Sequence, residues 1–193
     1  MKVELLFITP DPEKLIELAG RVAYQSFHRI KEGSEKDFVR MIRKSGHHSV
    51  LEHAYATFRI SGISRACSHQ LVRHRLCSFT QKSQRYVDER SFSYVVPPSI
   101  AENPQAKEIF VEFMENARIV YSKLKDLGIK NEDARFVLPN AAETEIVLTA
   151  NFRELRHIIS LRKNESSQWE IRQVAEKMLE ILKKHAPTAF EDL

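Results

Sequence analysis

Residues 1–8 begin by alternating apolar and polar side chains, the period-two pattern of a half-buried strand. Asp11-Pro12-Glu13 then predicts a helix start with proline at the first helical position, and Leu15, Ile16, Leu18 and Ala19 carry its apolar face toward Tyr24. Ser34 with Asp37 predicts the cap of a second helix with Phe38, Met41 and Ile42 inward, and Gly46 supplies the left-handed residue that ends it. Alternation resumes over 54–60 (AYATFRI) as a strand broken by Ser61-Gly62, after which Ser64 predicts the cap of a helix through Arg65–Arg75. A polar loop follows, then a strand at 92–96 closed by Pro97-Pro98. Asn103-Pro104 starts a long helix to Leu127, with Gly128 beyond it, and a short helical segment over 131–137 stops at Pro139. Residues 144–150 form an apolar run of strand type, Asn151 caps a helix from Phe152 to Lys163, and an amphipathic helix covers 166–185. Strands mixed with helix pairs predict an α+β fold with a modest sheet. No repeat, low-complexity tract or Gly/Ser linker divides the chain, so 1–193 reads as one domain.

Composition narrows the classes. A hydrophobic content of 42% with 29% charged residues is that of a soluble globular chain. No run approaches the roughly 18 apolar residues that span a bilayer, and the N-terminus shows no basic leader or cleavage site, so the expectation is a cytoplasmic protein without a membrane partner. Cys67 and Cys77 make neither a disulfide framework nor a zinc site. A net charge of +4 is what a solvated basic surface gives, and it also admits nucleic acid, a nucleotide or a phosphorylated cofactor.

Three constellations carry candidate chemistry. The segment Gly46-His47-His48-Ser49-Val50-Leu51-Glu52-His53 suggests metal at first, but its spacing argues against it. His48 and His53 are about 140° apart on a helical wheel, where two zinc ligands need the i, i+4 spacing of about 40°. A turn offering the Ser49 hydroxyl and imidazoles to a ligand, or a purely structural turn, are the remaining readings. The second constellation is Gln70-Leu71-Val72-Arg73-His74-Arg75 with Gln81-Lys82-Ser83-Gln84-Arg85. On a continuous helix Gln70 and Arg73 share a face while Arg73 and Arg75 point about 200° apart, so two anions could be held at once. Interleaved amides and hydroxyls distinguish this set from a lysine-rich solvated face, which is the bland alternative. The third is Asn151, Arg153, His157 and Arg162, whose spacings address more than one ligand. Arg135, isolated before Pro139, reads by itself as a surface or ion-pair residue. Neither a dinucleotide-binding glycine fingerprint nor a P-loop is present, and nothing in the sequence supplies Ser83 with a partner base.

Arg73-His74-Arg75 followed after seven residues by Ser83 resembles the R-H-R-x7-S signature of flavin-dependent thymidylate synthases, and the match runs on into Ser83-Gln84-Arg85-Tyr86. Gly46-His47-His48-Ser49 with Glu52-His53, the segment 134–139, and Gln168-Trp169-Glu170-Ile171-Arg172 resemble further elements of that family in the same order. The resemblance implies a sheet, mixed or antiparallel, carrying long helices, and a cytoplasmic homotetramer with sites shared between subunits. It implies reductive methylation of dUMP to dTMP, with 5,10-methylenetetrahydrofolate as carbon donor and NADPH as reductant through FAD. Flavin contacts would fall to Ser49, Arg73, His74, Arg75, Gln81, Asn151, Phe152, Arg153 and His157. Substrate contacts would fall to Gln70, Leu71, Val72, Arg73, Gln81, Lys82, Ser83, Gln84, Arg85, Arg135 and Arg162. Arg162 would be catalytic, favouring ionisation of the pyrimidine, with no enzyme nucleophile and no metal. One departure is Ser166-Ser167, where relatives often have His-Ala before Gln-Trp-Glu. The competing readings are a basic nucleic-acid-binding module, disfavoured because 65–85 lacks a set of stacking aromatics interleaved with its arginines, Phe79 standing alone, and a zinc hydrolase at 47–53.

Overall fold

The computed structural model describes all 193 residues. In chain order it holds β1 (Lys2–Ile8), α1 (Pro12–Val22), α2 (Ser34–Lys44), β2 (Tyr55–Ser64), α3 (Arg65–Leu71), β3 (Ser78–Gln81), α4 (Pro98–Ala101) and α5 (Pro104–Asp126). Then follow α6 (Asn131–Ala134), β4 (Glu143–Asn151), α7 (Phe152–Arg162), α8 (Trp169–His185) and α9 (Pro187–Phe190), with 3₁₀ turns at Phe27–Arg29, His48–His53 and Arg135–Val137. The strands make one four-stranded sheet in the order β1-β2-β4-β3. Phe152 N donates to Ala54 O, and the Thr57 and Thr149 hydroxyls meet at 2.9 Å, a pairing that only antiparallel β2 and β4 produce. The fold is α+β with a small antiparallel sheet, as expected.

The chain forms two compact units. The first contains Met1–Ile60, Leu71–Phe79 and Val147–Leu193. Its core follows from strand and helix periods. Ala56, Phe58 and Ile60 alternate inward on β2, as Leu148 and Ala150 do on β4. Helix α7 adds Leu155, Ile158 and Ile159, and α8 adds Ile171, Val174, Met178 and Leu182. Helix α1 packs on α2, and α8 packs on α7, α9 and β1. The second unit contains Ser61–Gln70 and Thr80–Ile146. There Met114 and Ala117 of α5 bury against Phe92 and Ala142, with Phe110 and Leu138 alongside. Tyr121, one turn further on α5, is fully buried, and its hydroxyl accepts from Glu89 N at 3.3 Å.

Helix starts behave as read. Ser64 Oγ accepts from Cys67 N (3.0 Å), Asn103 Oδ1 from Ala106 N (3.1 Å) and Asn151 Oδ1 from Glu154 N (2.9 Å). Gly46 and Gly128 take left-handed φ values of 73° and 81° just past α2 and α5.

Several expectations need correction. Ser34 lies inside α2, and Gly33 at φ 78° precedes it. The serine hydroxyl is instead spent on Glu17 Oε2 at 2.7 Å. Val39, not Met41, faces inward on α2, and on α1 Leu18 is exposed while Glu13 and Glu17 are buried. Specific partners make those carboxylates tolerable: Glu13 accepts from Ala189 N (2.8 Å), and Glu17 pairs with Arg21 (2.6 Å). Ser61-Gly62 does not stop β2, because Gly62 adopts φ 67°, the conformation a bulge glycine takes, and the strand continues to Ser64. Helix α3 ends at Leu71, not Arg75, and the polar loop contains β3. The 92–96 segment supplies only a single bridge, Tyr94 to Ala142. Helix α8 begins at Trp169, where Gln168 Oε1 accepts from Glu170 N and Ile171 N.

Gly20 gives a direct test of the α1–α2 packing. A Cβ built there would lie 2.3 Å from Phe38 Cζ and 3.2 Å from Val50 Cγ1. Gly20→Ala is therefore expected to destabilise the protein by about 1–3 kcal/mol through overpacking, although alanine is the better helix former by about 1 kcal/mol. An unchanged urea midpoint would show that the two helices are not in close contact at this position.

Candidate functional site

In the first unit the turn after α3 meets α7. His74 closes the turn by donating its main-chain N–H to Leu71 O at 3.1 Å, and its imidazole is buried. Arg162, the last residue of α7, donates from Nε to His74 Nε2 at 3.0 Å. The other ring nitrogen, Nδ1, lies 3.6 Å from a carboxylate oxygen of buried Glu154. His157 stands edge-on to His74, with ring centroids 5.9 Å apart. Burial first, then the charges of Arg162 and His157, push the His74 imidazolium down to about 4. Burial pushes the Glu154 carboxyl up, and His157 partly opposes that.

The depressed His74 value has a signed consequence. Unfolded, this histidine takes up a proton near its ordinary value of 6.5; folded, it does so only near 4. The unfolded state thus binds more protons within that window, so the His74 contribution to stability is complete above pH 6.5 and is lost as the pH falls toward 4. Urea midpoints are expected to fall across this window less steeply in His74→Gln than in the parent. Parallel profiles would contradict the buried, neutral imidazole.

Beside α7 lies a cavity of about 720 Å³, inside the roughly 300–1,000 Å³ range of small-molecule sites. Its lining includes His48, Glu52, Asn151, Arg153, Glu154 and His157. Arg153 Nη1 reaches Glu52 Oε1 at 2.6 Å, but both side chains are exposed, so the pair is weak and a ligand can displace it. Asn151 spends its oxygen on the α7 cap and keeps its amide N–H groups as donors. Arg73 and Arg75 belong to this same unit and are exposed, as is Ser49 in the His48–His53 turn.

The second unit gathers the other cations. Arg85 Nη2 pairs with Glu132 Oε2 at 3.1 Å, and Arg135 Nε donates to Glu132 O at 3.1 Å, which brings two predicted anion contacts to one acidic residue. Lys82 Nζ sits 2.9 Å from Glu89 of the same unit. Arg65 is pushed below its ordinary value by burial and then by the like charge of Arg135, with Glu89 opposing. The Gln81 side-chain nitrogen donates to the Ser68 hydroxyl (2.8 Å) and the Thr144 hydroxyl (3.1 Å). Gln84 is buried, while Ser83 and Gln70 are partly exposed.

The expected helix face joining Gln70 to Arg73 does not exist, because α3 stops at Leu71 and Arg73 and Arg75 project from a turn. Leu71 and Phe152 are fully buried, whereas Val72 is exposed. Sequence reasoning missed Arg65 and Glu154. Glu154 is at the third position of α7, where a capping-box carboxylate commonly sits, and that familiar pattern hides its approach to His74. Its presence on the α7 helix with His157 and Arg162 was the available signal.

A family model described as thymidylate synthase complementing protein matches residues 4–188. A flavin-dependent thymidylate synthase of Geobacter sulfurreducens is 48% identical over 200 aligned residues, covering 100% of this chain and 86% of its own length. A protein of the same name from Nitratidesulfovibrio vulgaris is 44% identical, covering 98% of this chain and 85% of its own. Among solved structures, thymidylate synthase X from Helicobacter pylori, crystallised with FAD and dUMP, superposes with a TM-score of 0.86 at 26% identity over 100% of this chain and 98% of its own. With a match this long and relatives this similar along their length, the chain belongs to the thymidylate synthase complementing protein family.

Proposed function

We propose that the protein is a flavin-dependent thymidylate synthase: it methylates dUMP to dTMP, with 5,10-methylenetetrahydrofolate as carbon donor, tetrahydrofolate as product and NADPH as reductant through FAD. The observation that carries this is the coincidence of the α7 cavity with the predicted flavin positions Asn151, Arg153 and His157 in a chain of this family. FAD, when bound, supplies hydride transfer. The residues present fit it: Arg153 and the Asn151 amide offer donors to phosphate and ring acceptors at the cavity. Ser49, Arg73, Arg75 and Gln81 complete the proposed flavin set.

For dUMP, Lys82, Ser83, Arg85 and Arg135 are assigned to anion and hydroxyl recognition, and Gln70 and Gln84 to amide contacts. Arg162 is assigned the catalytic role. Its planar guanidinium stabilises negative charge developing on the pyrimidine ring. No enzyme nucleophile is used. Cys67 is buried, and burial, then the Glu154 carboxylate, push the Cys77 thiol up to about 12, so neither provides a thiolate.

The same reading makes 1–193 one catalytic domain of a cytoplasmic homotetramer with sites shared between subunits. The exposed Ile109 and Phe113, one turn apart on α5, support assembly through an apolar face. No helix is long and apolar enough to cross a membrane. The competing nucleic-acid module predicts salt-sensitive oligonucleotide binding without flavin. The deciding observation is the absorbance spectrum of the purified protein supplied with FAD, followed through a dUMP titration. Flavin absorbance that dUMP perturbs is expected; a colourless protein that takes up no FAD would refute the assignment.

A further inference from the structure

We propose that Glu154 is a positioning residue for this reaction: acting through a neutral His74 that carries its hydrogen on Nδ1, it holds the Arg162 guanidinium in its working orientation. The kinetic consequence rests on the function proposed above; the geometry does not.

Arginine stays charged and has no acceptor atom, so the 3.0 Å contact from Arg162 Nε requires a lone pair on His74 Nε2. A neutral imidazole has one N–H, and with Nε2 accepting, that hydrogen must be on Nδ1. Nδ1 faces Glu154 Oε1 at 3.6 Å. This is longer than a formed hydrogen bond, yet a carboxylate at that range still favours N–H over a lone pair directed at it. An imidazolium would set N–H against N–H at Arg162, and the burial that depresses His74 to about 4 keeps that form away at neutral pH.

The arrangement also constrains shape. Glu154 and Arg162 are eight residues apart on α7, about 12 Å along its axis. His74, from a different segment of the chain, ties both ends of that span together. His157 packs edge-on against the His74 ring and limits its rotation. Because Arg162 is held by Nε, the inner nitrogen of the planar fork, the contact fixes the plane of the guanidinium and not merely the position of its charge.

Two measurements test this. In protein carrying ¹⁵N-histidine, long-range ¹H–¹⁵N correlation identifies the protonated nitrogen of His74, assigned by its loss in His74→Gln. Hydrogen on Nδ1 is expected at neutral pH; hydrogen on Nε2, or on both, would overturn the proposal. In steady-state assays, Glu154→Leu is expected to lower kcat about tenfold, the scale on which outer partners act on a site residue. The KM for dUMP should change little, and kcat is referred to the flavin-loaded fraction, because Glu154 also lines the α7 cavity. Glu154→Gln keeps a carbonyl oxygen toward Nδ1–H and should recover most of that loss. Glu154→Leu at parental kcat, or Glu154→Gln as impaired as Glu154→Leu, would also overturn it. If the parent protein shows no dUMP turnover, the functional assignment fails, and the tautomer result still decides the geometry.

Discussion

Arg162→Lys is expected to reduce dUMP turnover by about 100-fold or more, the loss seen when one preorganised donor is removed from developing charge, with FAD still bound. The reason lies at the end of α7. Arg162 is anchored by its Nε to His74, and lysine has no nitrogen at that position along its stem. Lysine keeps the charge but not the plane or the paired donors, and its strongly hydrated ammonium is a poor substitute in a partly buried site. Steady-state dTMP formation and flavin absorbance measured on the same preparation separate catalysis from cofactor loss. Turnover at the parental rate would remove Arg162 from the catalytic role.

Phe152→Ala should have the largest effect on stability, about 3–5 kcal/mol for truncating a fully buried aromatic side chain. Phe152 is the first residue of α7, and its ring packs edge-on against Phe190 at 5.0 Å. It anchors the helix that carries Glu154, His157 and Arg162. If its side chain instead served mainly as a flavin contact, the variant would lose FAD with little change in unfolding midpoint. Urea unfolding with and without added FAD discriminates the two, and a large loss in both conditions is expected.

These expectations show what the sequence made legible. Asn103 and Asn151 announced α5 and α7, because a cap is a local device whose hydrogen bond closes within three residues. Gly46 and Gly128 marked helix ends for a similarly local reason. Readings that depended on distant partners did worse. Leu18 is read onto the apolar face of α1 but is exposed, while Ala189 N, Arg21 and the Ser34 hydroxyl let Glu13 and Glu17 be buried. β3 was invisible because four residues with a polar start form a strand only where a sheet edge receives them.

The candidate site divided along the same line. The types and order of Arg73, His74, Arg75 and Ser83 could be read, but the continuous helix meant to orient Arg73 and Arg75 could not survive beyond Leu71. Glu154 carried no motif of its own, and its meaning depends on His74 arriving from elsewhere in the chain. The Lys82–Glu89 and Arg85–Glu132 pairs were likewise unreadable, since pairing across a fold leaves no periodic trace.

The most direct test of the account is conversion of dUMP to dTMP by the purified protein with FAD, NADPH and 5,10-methylenetetrahydrofolate, omitting each in turn. This function requires dTMP and tetrahydrofolate in the complete mixture and loss of product on any omission, provided the protein is first stripped of bound flavin. No dTMP from folded, FAD-loaded protein in the complete mixture would contradict it.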